Sequence, residues 1–307
     1  MKRRLPPWFL LVLLCAVCAG VIGVVWALRS WRLSADELLK RLPADNAVLL
    51  YIDFAALRRA GVLQLFEGSE VIQEPEYRAF KVGTGLDYQR DLNSALVSLS
   101  PQGHYLIVRG RFDWSRLGEW VTEQGGTCYN SSCRVRGSTP DRNVSFFPLQ
   151  PDLMALAVSK DTFGADLLLT RKSGGRPAFF PGQPVWAFVS AGALRQADKL
   201  PPSARMFAQA LEASDGILLA AEPRGVRWEL RLEVACRSAQ DAATLAAHLE
   251  KVTLLLREAI LREGKQPDPR DLSGVLTAGV FERKERLVYG RWPLERVFLE
   301  SLARGTP

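Results

Sequence analysis

NAVLLYIDFAALRRAG (46–61) and PVWAFVSAGALRQAD (184–198) carry one pattern twice, at an offset of 137 residues. In each, a short apolar run of strand type leads directly into a helical signal. Val48, Ala56, Leu57, Arg58 and Ala60 recur as Val185, Ala193, Leu194, Arg195 and Ala197, and Tyr51 meets Phe188. Asp53 stands where Ser190 stands, and both are residue types whose side-chain oxygen caps a helix N-terminus. At a strand-to-helix junction an aspartate reads as a cap before it reads as a catalytic acid.

Working outward, LVSLSPQG (96–103) meets LLAAEPRG (218–225) in the same order, with Pro101 over Pro223 and Gly103 over Gly225. Both are expected to turn a hairpin at these residues. The stretch VRWELRLEVAC (226–236) alternates, with Val226, Trp228, Leu230, Leu232, Val234 and Cys236 on one face and Arg227, Glu229, Arg231 and Glu233 on the other. That is an antiparallel strand with one wet face, and the interleaved charges suit ion pairing rather than a catalytic dyad.

A helix follows in each half. DWSRLGEWVTEQGG (113–126) has Asp113 as cap, Leu117, Trp120 and Val121 on one stripe and Gly125 as stop. Its longer partner starts at Ser238, with Asp241 completing a capping box, and runs to about Gly264 with Leu245, Leu249, Val252, Leu256 and Ile260 as the expected buried stripe. Strand segments SFFPLQ and LMALAVS close the first half, GVFERKE and RLVYGRW the second, and a short helix ends each.

The fold class expected is therefore α+β: an N-terminal transmembrane helix, then two tandem α+β modules whose antiparallel sheets are covered by helices. The modules span 46–170 and 184–307, separated by a Gly- and Pro-rich linker at 171–183. Whether the two sheets stay apart or join edge to edge is open at this level.

The first module is preceded by a stalk and short helix at 29–45, with Ser34 and Glu37 as a capping box. It ends in Leu42, Pro43, Ala44 and Asp45. With this Leu-Pro-Ala-Asp element opening a strand-helix unit, the chain resembles a bacterial family with one N-terminal membrane anchor and an extracytoplasmic α+β body. The resemblance implies that architecture and brings no activity or functional residue with it.

WFLLVLLCAVCAGVIGVVWAL (8–28) holds 21 residues and no charge. As a helix it is roughly 31 Å long, the thickness of a bilayer's hydrocarbon core. Lys2, Arg3 and Arg4 in the basic segment 1–7 mark the cytoplasmic side, and Trp8, Trp26 and Trp31 sit at interfacial depth. The expectation is a single-pass protein of the cell membrane with its N-terminus cytoplasmic and its body extracytoplasmic, periplasmic in a Gram-negative cell. The competing reading is a signal peptide cleaved after Val17-Cys18-Ala19. The anchor is preferred because apolar residues continue for nine positions past Ala19. Besides the lipid bilayer, the anchor offers a weaker partner, a second copy of itself, through the small-residue spacings Ala16-x-x-x-Gly20 and Ala19-x-x-x-Gly23.

The 307 residues carry a formal charge of +7, but residues 1–32 hold 5 basic and no acidic side chains, leaving 35 basic and 33 acidic in the body. No nucleic-acid partner is expected from so balanced a surface. Past residue 32, hydrolase, metalloprotease, nucleotide-binding and CxxC motifs are missing, and Ser173-Gly174-Gly175 has no strand before it or helix after it. The two histidines, His104 and His248, fall in different halves. No catalytic residue, cofactor or metal is therefore assigned. The one site expected is a disulfide between Cys128 and Cys133 across the turn Tyr129-Asn130-Ser131-Ser132, which an oxidising compartment permits. Cys236 is expected to be a buried thiol on the inward face of its strand.

The function expected is a non-catalytic interaction or scaffold module of the cell envelope with an envelope protein as partner; the alternative is a small-ligand-binding protein or enzyme using the cleft between the modules. The uncharged run generates the first prediction. The full chain stays in the membrane fraction after carbonate washing, and recovery of a soluble species beginning near Gly20 would show cleavage instead.

Overall fold

In the computed structural model of the chain the described residues are 33–66, 75–170 except 138 and 140, 182–194, and 216–304 except 226, together with 211 and 214. The basic segment 1–7, the anchor 8–28, most of the linker, and Arg195 and Ala197 of the second repeat lie outside them. Among the described residues no helix is long and apolar enough to cross a membrane.

The chain divides into two compact units, Met1–Leu38 and Leu39–Pro307. Helix α1 begins at Ala35 in the first and ends at Leu39, the first residue of the second. Its capping box is formed: Glu37 N–H donates to Ser34 Oγ at 3.2 Å and Ser34 N–H to Glu37 Oε2 at 2.9 Å.

The second unit is built on one antiparallel sheet of twelve strands: β1 (Val48–Ile52), β2 (Leu92–Ser100), β3 (Gly103–Gly110), β4 (Thr127–Tyr129), β5 (Ser132–Arg136), β6 (Asn143–Gln150), β7 (Leu153–Ser159), β8 (Val185–Ser190), β9 (Gly216–Arg224), β10 (Arg227–Ala235), β11 (Val280–Lys284) and β12 (Leu287–Leu294). Their order is β11-β12-β10-β9-β8-β1-β2-β3-β7-β6-β5-β4. The two segments that share a sequence pattern are the central neighbours. Val48 faces Val189, Leu50 faces Ala187 and Ile52 faces Val185. Outward from this seam the strands follow in matching order, β2, β3, β7, β6 on one side and β9, β10, β12, β11 on the other. Leu50 meets Val97 of β2 just as Ala187 meets Leu219 of β9.

Between the strands lie α2 (Phe54–Arg59), α3 (Pro75–Thr84), α4 (Tyr88–Asp91), α5 (Trp114–Glu123), α6 (Leu167–Thr170), α7 (Ala191–Leu194), α8 (Ala239–Arg262), α9 (Leu272–Thr277) and α10 (Arg296–Ala303). The expected caps are made. Asp53 Oδ1 accepts from Ala56 N–H at 2.7 Å, Asp113 Oδ1 from Arg116 N–H at 3.1 Å and Ser238 Oγ from Asp241 N–H at 3.0 Å. Ser190, at the position equivalent to Asp53, caps α7 by accepting from Ala193 N–H at 3.3 Å.

One face of the second half is apolar and lies under α8 and α9, where Ile217, Leu232, Val234, Val288 and Trp292 pack with Leu249 and Val252. The same face of the first half holds Cys133, Val135, Phe146 and Met154 against Leu117 and Val121 of α5. On the opposite face of the first half, Ser98 Oγ donates to the carbonyl of Pro43, and Ser145 Oγ accepts from Ala165 N–H at 3.0 Å. The segment after α1 and the turn before α6 therefore cover the buried row Leu49, Ile107, Ala155 and Leu153.

Two expectations are corrected. The hairpins do not turn at equivalent residues: Ser100 pairs with Gly103, leaving Pro101-Gln102 as the turn, whereas Pro223 stays in β9 opposite Trp228 and the turn falls at Gly225, whose φ of +63° suits glycine. Gly103 serves close approach instead, since a Cβ there would lie 2.7 Å from that of Ser159 on β7. On α8 the buried stripe is Ala242, Ala246, Leu249, Val252 and Thr253, while Leu245 and Leu256 are half-buried. Leu245 and Leu256 still pack against the core but at its margin, to either side of the fully covered Leu249.

At the seam, Trp186 is 1% exposed and stacks on Tyr51 with ring centroids 5.8 Å apart. Trp186→Ala is expected to cost about 3–5 kcal/mol. Because the sheet is continuous, calorimetry should still show one transition, shifted down. Two transitions of which only one moves would contradict a single cooperative sheet.

Candidate functional site

Among the described residues three recesses bring polar side chains together, and the largest of these three, about 360 Å³, lies in the first half. Its floor is set by α4. Asp87 caps this one-turn helix by accepting from Gln89 N–H at 3.0 Å, and Asp91 at its end is buried. Gly110 admits the approach: a Cβ there would lie 2.7 Å from the carbonyl oxygen of Asp91. Arg111, just past β3, is thereby set beside Asp91, its N–H donating to that carbonyl at 2.9 Å.

The Asp91 carboxylate then collects four donors. Arg90 donates through Nε at 3.1 Å and Nη2 at 3.0 Å, Arg111 through Nη2 at 2.9 Å, and Asp87 N–H at 3.0 Å. Burial alone would push the Asp91 carboxyl up, but the Arg90 fork, the Asp87 N–H and the charges of Arg90 and Arg111 outweigh it and hold the group below the ordinary carboxylate range. The opposite wall is α5, held against α3 by Phe80 edge-on to Trp120 at 5.1 Å. From α5, Arg116 reaches over Gly85, where a Cβ would stand 3.0 Å from its Nη1. Its Nε lies 3.6 Å from Asp113.

A second recess, about 210 Å³, is lined by Cys236, Asp241, Thr244 and His248. Cys236 carries no disulfide and is half-buried just past β10, not buried as expected. It packs inward against the core under α8, as the alternation expects, but at the margin, where its cover is incomplete. Among the described residues no three His, Cys, Asp or Glu side chains are gathered to hold a metal ion. His104 is far along the sheet on β3, paired with Leu99 and Val158. The third recess, also about 210 Å³, lies where the halves meet, with Val62 and Leu65 on one side and Trp228, Leu294 and Leu299 on the other.

The disulfide Cys128–Cys133 is formed. The two cysteines face each other in the β4–β5 hairpin, whose turn residues Asn130 and Ser131 both adopt positive φ, 48° and 63°. Their Cα atoms are 4.0 Å apart. The charges on the wet face of β10 are paired: Arg231 reaches Glu222 across the strands at 2.9 Å and Glu229 along its own at 2.8 Å. Sequence reasoning passed over Arg90, Asp91, Arg111 and Arg116, since Asp-Arg spacings of this kind are common on solvated surfaces and only the topology brings residues 90 and 111 together.

No protein-family model matches the chain, and no curated protein matches it in sequence. Among solved structures it is similar in fold to crystal form I of TP0453, at TM-score 0.50 and 11% identity, over 88% of this chain and 98% of that one. Crystal form IV of TP0453 gives a TM-score of 0.49 at 11% identity, over 87% and 94%. The likeness is one of fold.

Linkage at Asp91 gives a pH prediction. Its folded pKa lies below its unfolded one, so the stability it contributes is fully present above the ordinary carboxylate value of 3.8 and is lost as pH falls from there through the folded value. Asp91→Asn should be less stable at neutral pH by about 1.5–3 kcal/mol, the worth of a charged hydrogen bond. It should also lose less further stability on acidification. Parallel acid titrations of Tm for the two proteins would show otherwise if this carboxylate is not the one that matters.

Proposed function

We propose that the protein is held in the cell membrane by residues 8–28, with its body outside the cytoplasm, and that it acts there as a non-catalytic docking protein for another envelope protein. In this reading the body is two copies of one α+β module, 46–170 and 184–307, fused along β1 and β8. The matching strand order about the seam supports the duplication. The Cys128–Cys133 bond is in keeping with an oxidising compartment.

The observation that carries the docking role is on α8. Its outer side presents Leu254, Leu255 and Leu261, which are 59%, 44% and 46% exposed within two turns of one another. Single surface leucines need no explanation, but Leu254 and Leu261 stand two turns apart on one side of the helix, with Arg257 and Glu258 between them and Leu255 beside the first, a mixed apolar and charged surface that suits a protein partner. Strand addition is a poor alternative route. Among the described residues the sheet's edges are β4, three residues long and closed by the disulfide, and β11, which carries exposed Glu282, Arg283 and Lys284. The other reading, ligand binding or chemistry in the cleft between the halves, rests on a recess of about 210 Å³ where Gln64, Arg227 and Arg296 stand beside Val62, Leu65, Trp228, Leu294 and Leu299.

Affinity purification of the tagged, membrane-extracted full chain should recover a specific envelope protein. The Leu254→Lys, Leu261→Lys double variant should recover at least tenfold less of it with an unchanged Tm. Equal recovery by the variant would overturn the assignment to α8.

A further inference from the structure

We propose that the cleft framed by Arg90, Arg111 and Arg116 is a binding site for a carboxylate monoanion that carries an apolar substituent. This goes beyond the docking role and makes no use of α8.

Two of the three guanidinia are already immobilised. Arg90 grips Asp91 with a two-donor fork, Nε at 3.1 Å and Nη2 at 3.0 Å, and Arg111 holds the same carboxylate at 2.9 Å. The Asp91 side chain is 10% exposed, whereas those of Arg90 and Arg111 are 66% and 70% exposed. The carboxylate thus anchors both arginines from below and leaves their outer edges turned to the cleft. Arg90 Nη1, Arg111 Nε and Arg111 Nη1 make no hydrogen bond among the described residues. Arg116 is freer still, its guanidinium 3.6 Å from Asp113 and hydrogen-bonded to nothing among the described residues. Guanidinia fixed before a ligand arrives lose little rotamer freedom on binding it, which is how a planar donor edge becomes selective for a planar anion.

Charge selects the class of anion. Three guanidinia stand against two carboxylates, those of Asp91 and Asp113, so the cleft keeps one net positive charge. The neighbouring Lys81 is committed to Asp87 at 2.6 Å and adds none. One charge is matched by a carboxylate and over-matched by phosphate, which carries about −1.5 to −2 at neutral pH. The remaining walls are apolar, formed by Leu86, Phe112 and Leu117, and the volume of about 360 Å³ is that of a small-ligand site. The carboxylate has two natural sources, a free small acid or the C-terminus of a protein chain.

Isothermal titration calorimetry on the full chain in detergent micelles tests this with N-acetyl-leucine, N-acetyl-leucinamide and inorganic phosphate at pH 7. The acid should bind, and the amide and phosphate should bind at least tenfold more weakly. Arg116→Gln should weaken the acid at least tenfold with an unchanged Tm, since Arg116 supports no packing. Equal binding of amide and acid, tighter binding of phosphate, or no loss in Arg116→Gln would overturn the proposal, as would no heat from the acid at about 10 mM, a concentration that still detects an interaction of about −3 kcal/mol. A longer peptide ending in the same leucine carboxylate separates the sources. Tighter binding than N-acetyl-leucine assigns the site to a protein C-terminus, and binding no tighter assigns it to a small acid.

Discussion

A strand of mostly apolar residues with one unpaired backbone edge is unstable company in water, because its free N–H and C=O groups invite any passing strand. Each half of this protein has such a strand at its inner boundary, β1 in one and β8 in the other. Pairing them satisfies both edges at once, and the rest of the architecture follows. The register that sets Leu50 against Ala187 puts Leu49 and Trp186 on one and the same face of the sheet, where both are buried. It also aligns the apolar face of β10 with that of β7, so that α8 and α5 can cover the same side of one sheet. The distal strands β4 and β11 are then the only ends left to protect among the described residues, and the brevity of β4 and a run of charges on β11 protect them.

Much of this was legible because local rules and the global fold agree. Asp53, Asp113 and Ser238 cap the helices that their spacing announces, and the alternation through β10 sorts apolar from charged side chains as written. Cys128 and Cys133 are joined because a two-residue turn of Asn130 and Ser131 leaves them opposite each other. What could not be read is what depends on a second segment. Pro223 looks like the turn residue that Pro101 is, but β9 runs on past it because Trp228 supplies a partner. Which positions of α8 are fully covered, and how completely Cys236 is, depends on the segments that pack beside them. The joining of the halves itself is a choice between edges, and no property of 48–52 alone names 185–189 as the mate.

The same limit explains why the arginine cleft is invisible in the sequence. Arg90 and Asp91 close a one-turn helix, Arg111 follows a strand and Arg116 sits on another helix; only Gly110, by letting the Asp91 carbonyl come close, draws them into one place. The contrast with the wet face of β9 and β10 is instructive. There Arg224 and Arg231 meet Glu222 and Glu229 in equal number, and the charges saturate one another. In the cleft a single buried carboxylate serves two guanidinia, so donors remain.

The seam also sets an order of events in time. Chains are made from the N-terminus, so β1 and its neighbours β2 and β3 exist before β8 does. Until residues 185–190 emerge, the first half can close its hairpins and its α5 layer but must wait with the inner edge of β1 open. Contacts between segments so far apart are slow to form and leave partly folded chains prone to the wrong partner, including the β1 of another copy. The seam that makes the finished body one piece therefore cannot close until residues 185–190 have emerged, and the interval before that is when a nascent chain of this fold most needs shelter.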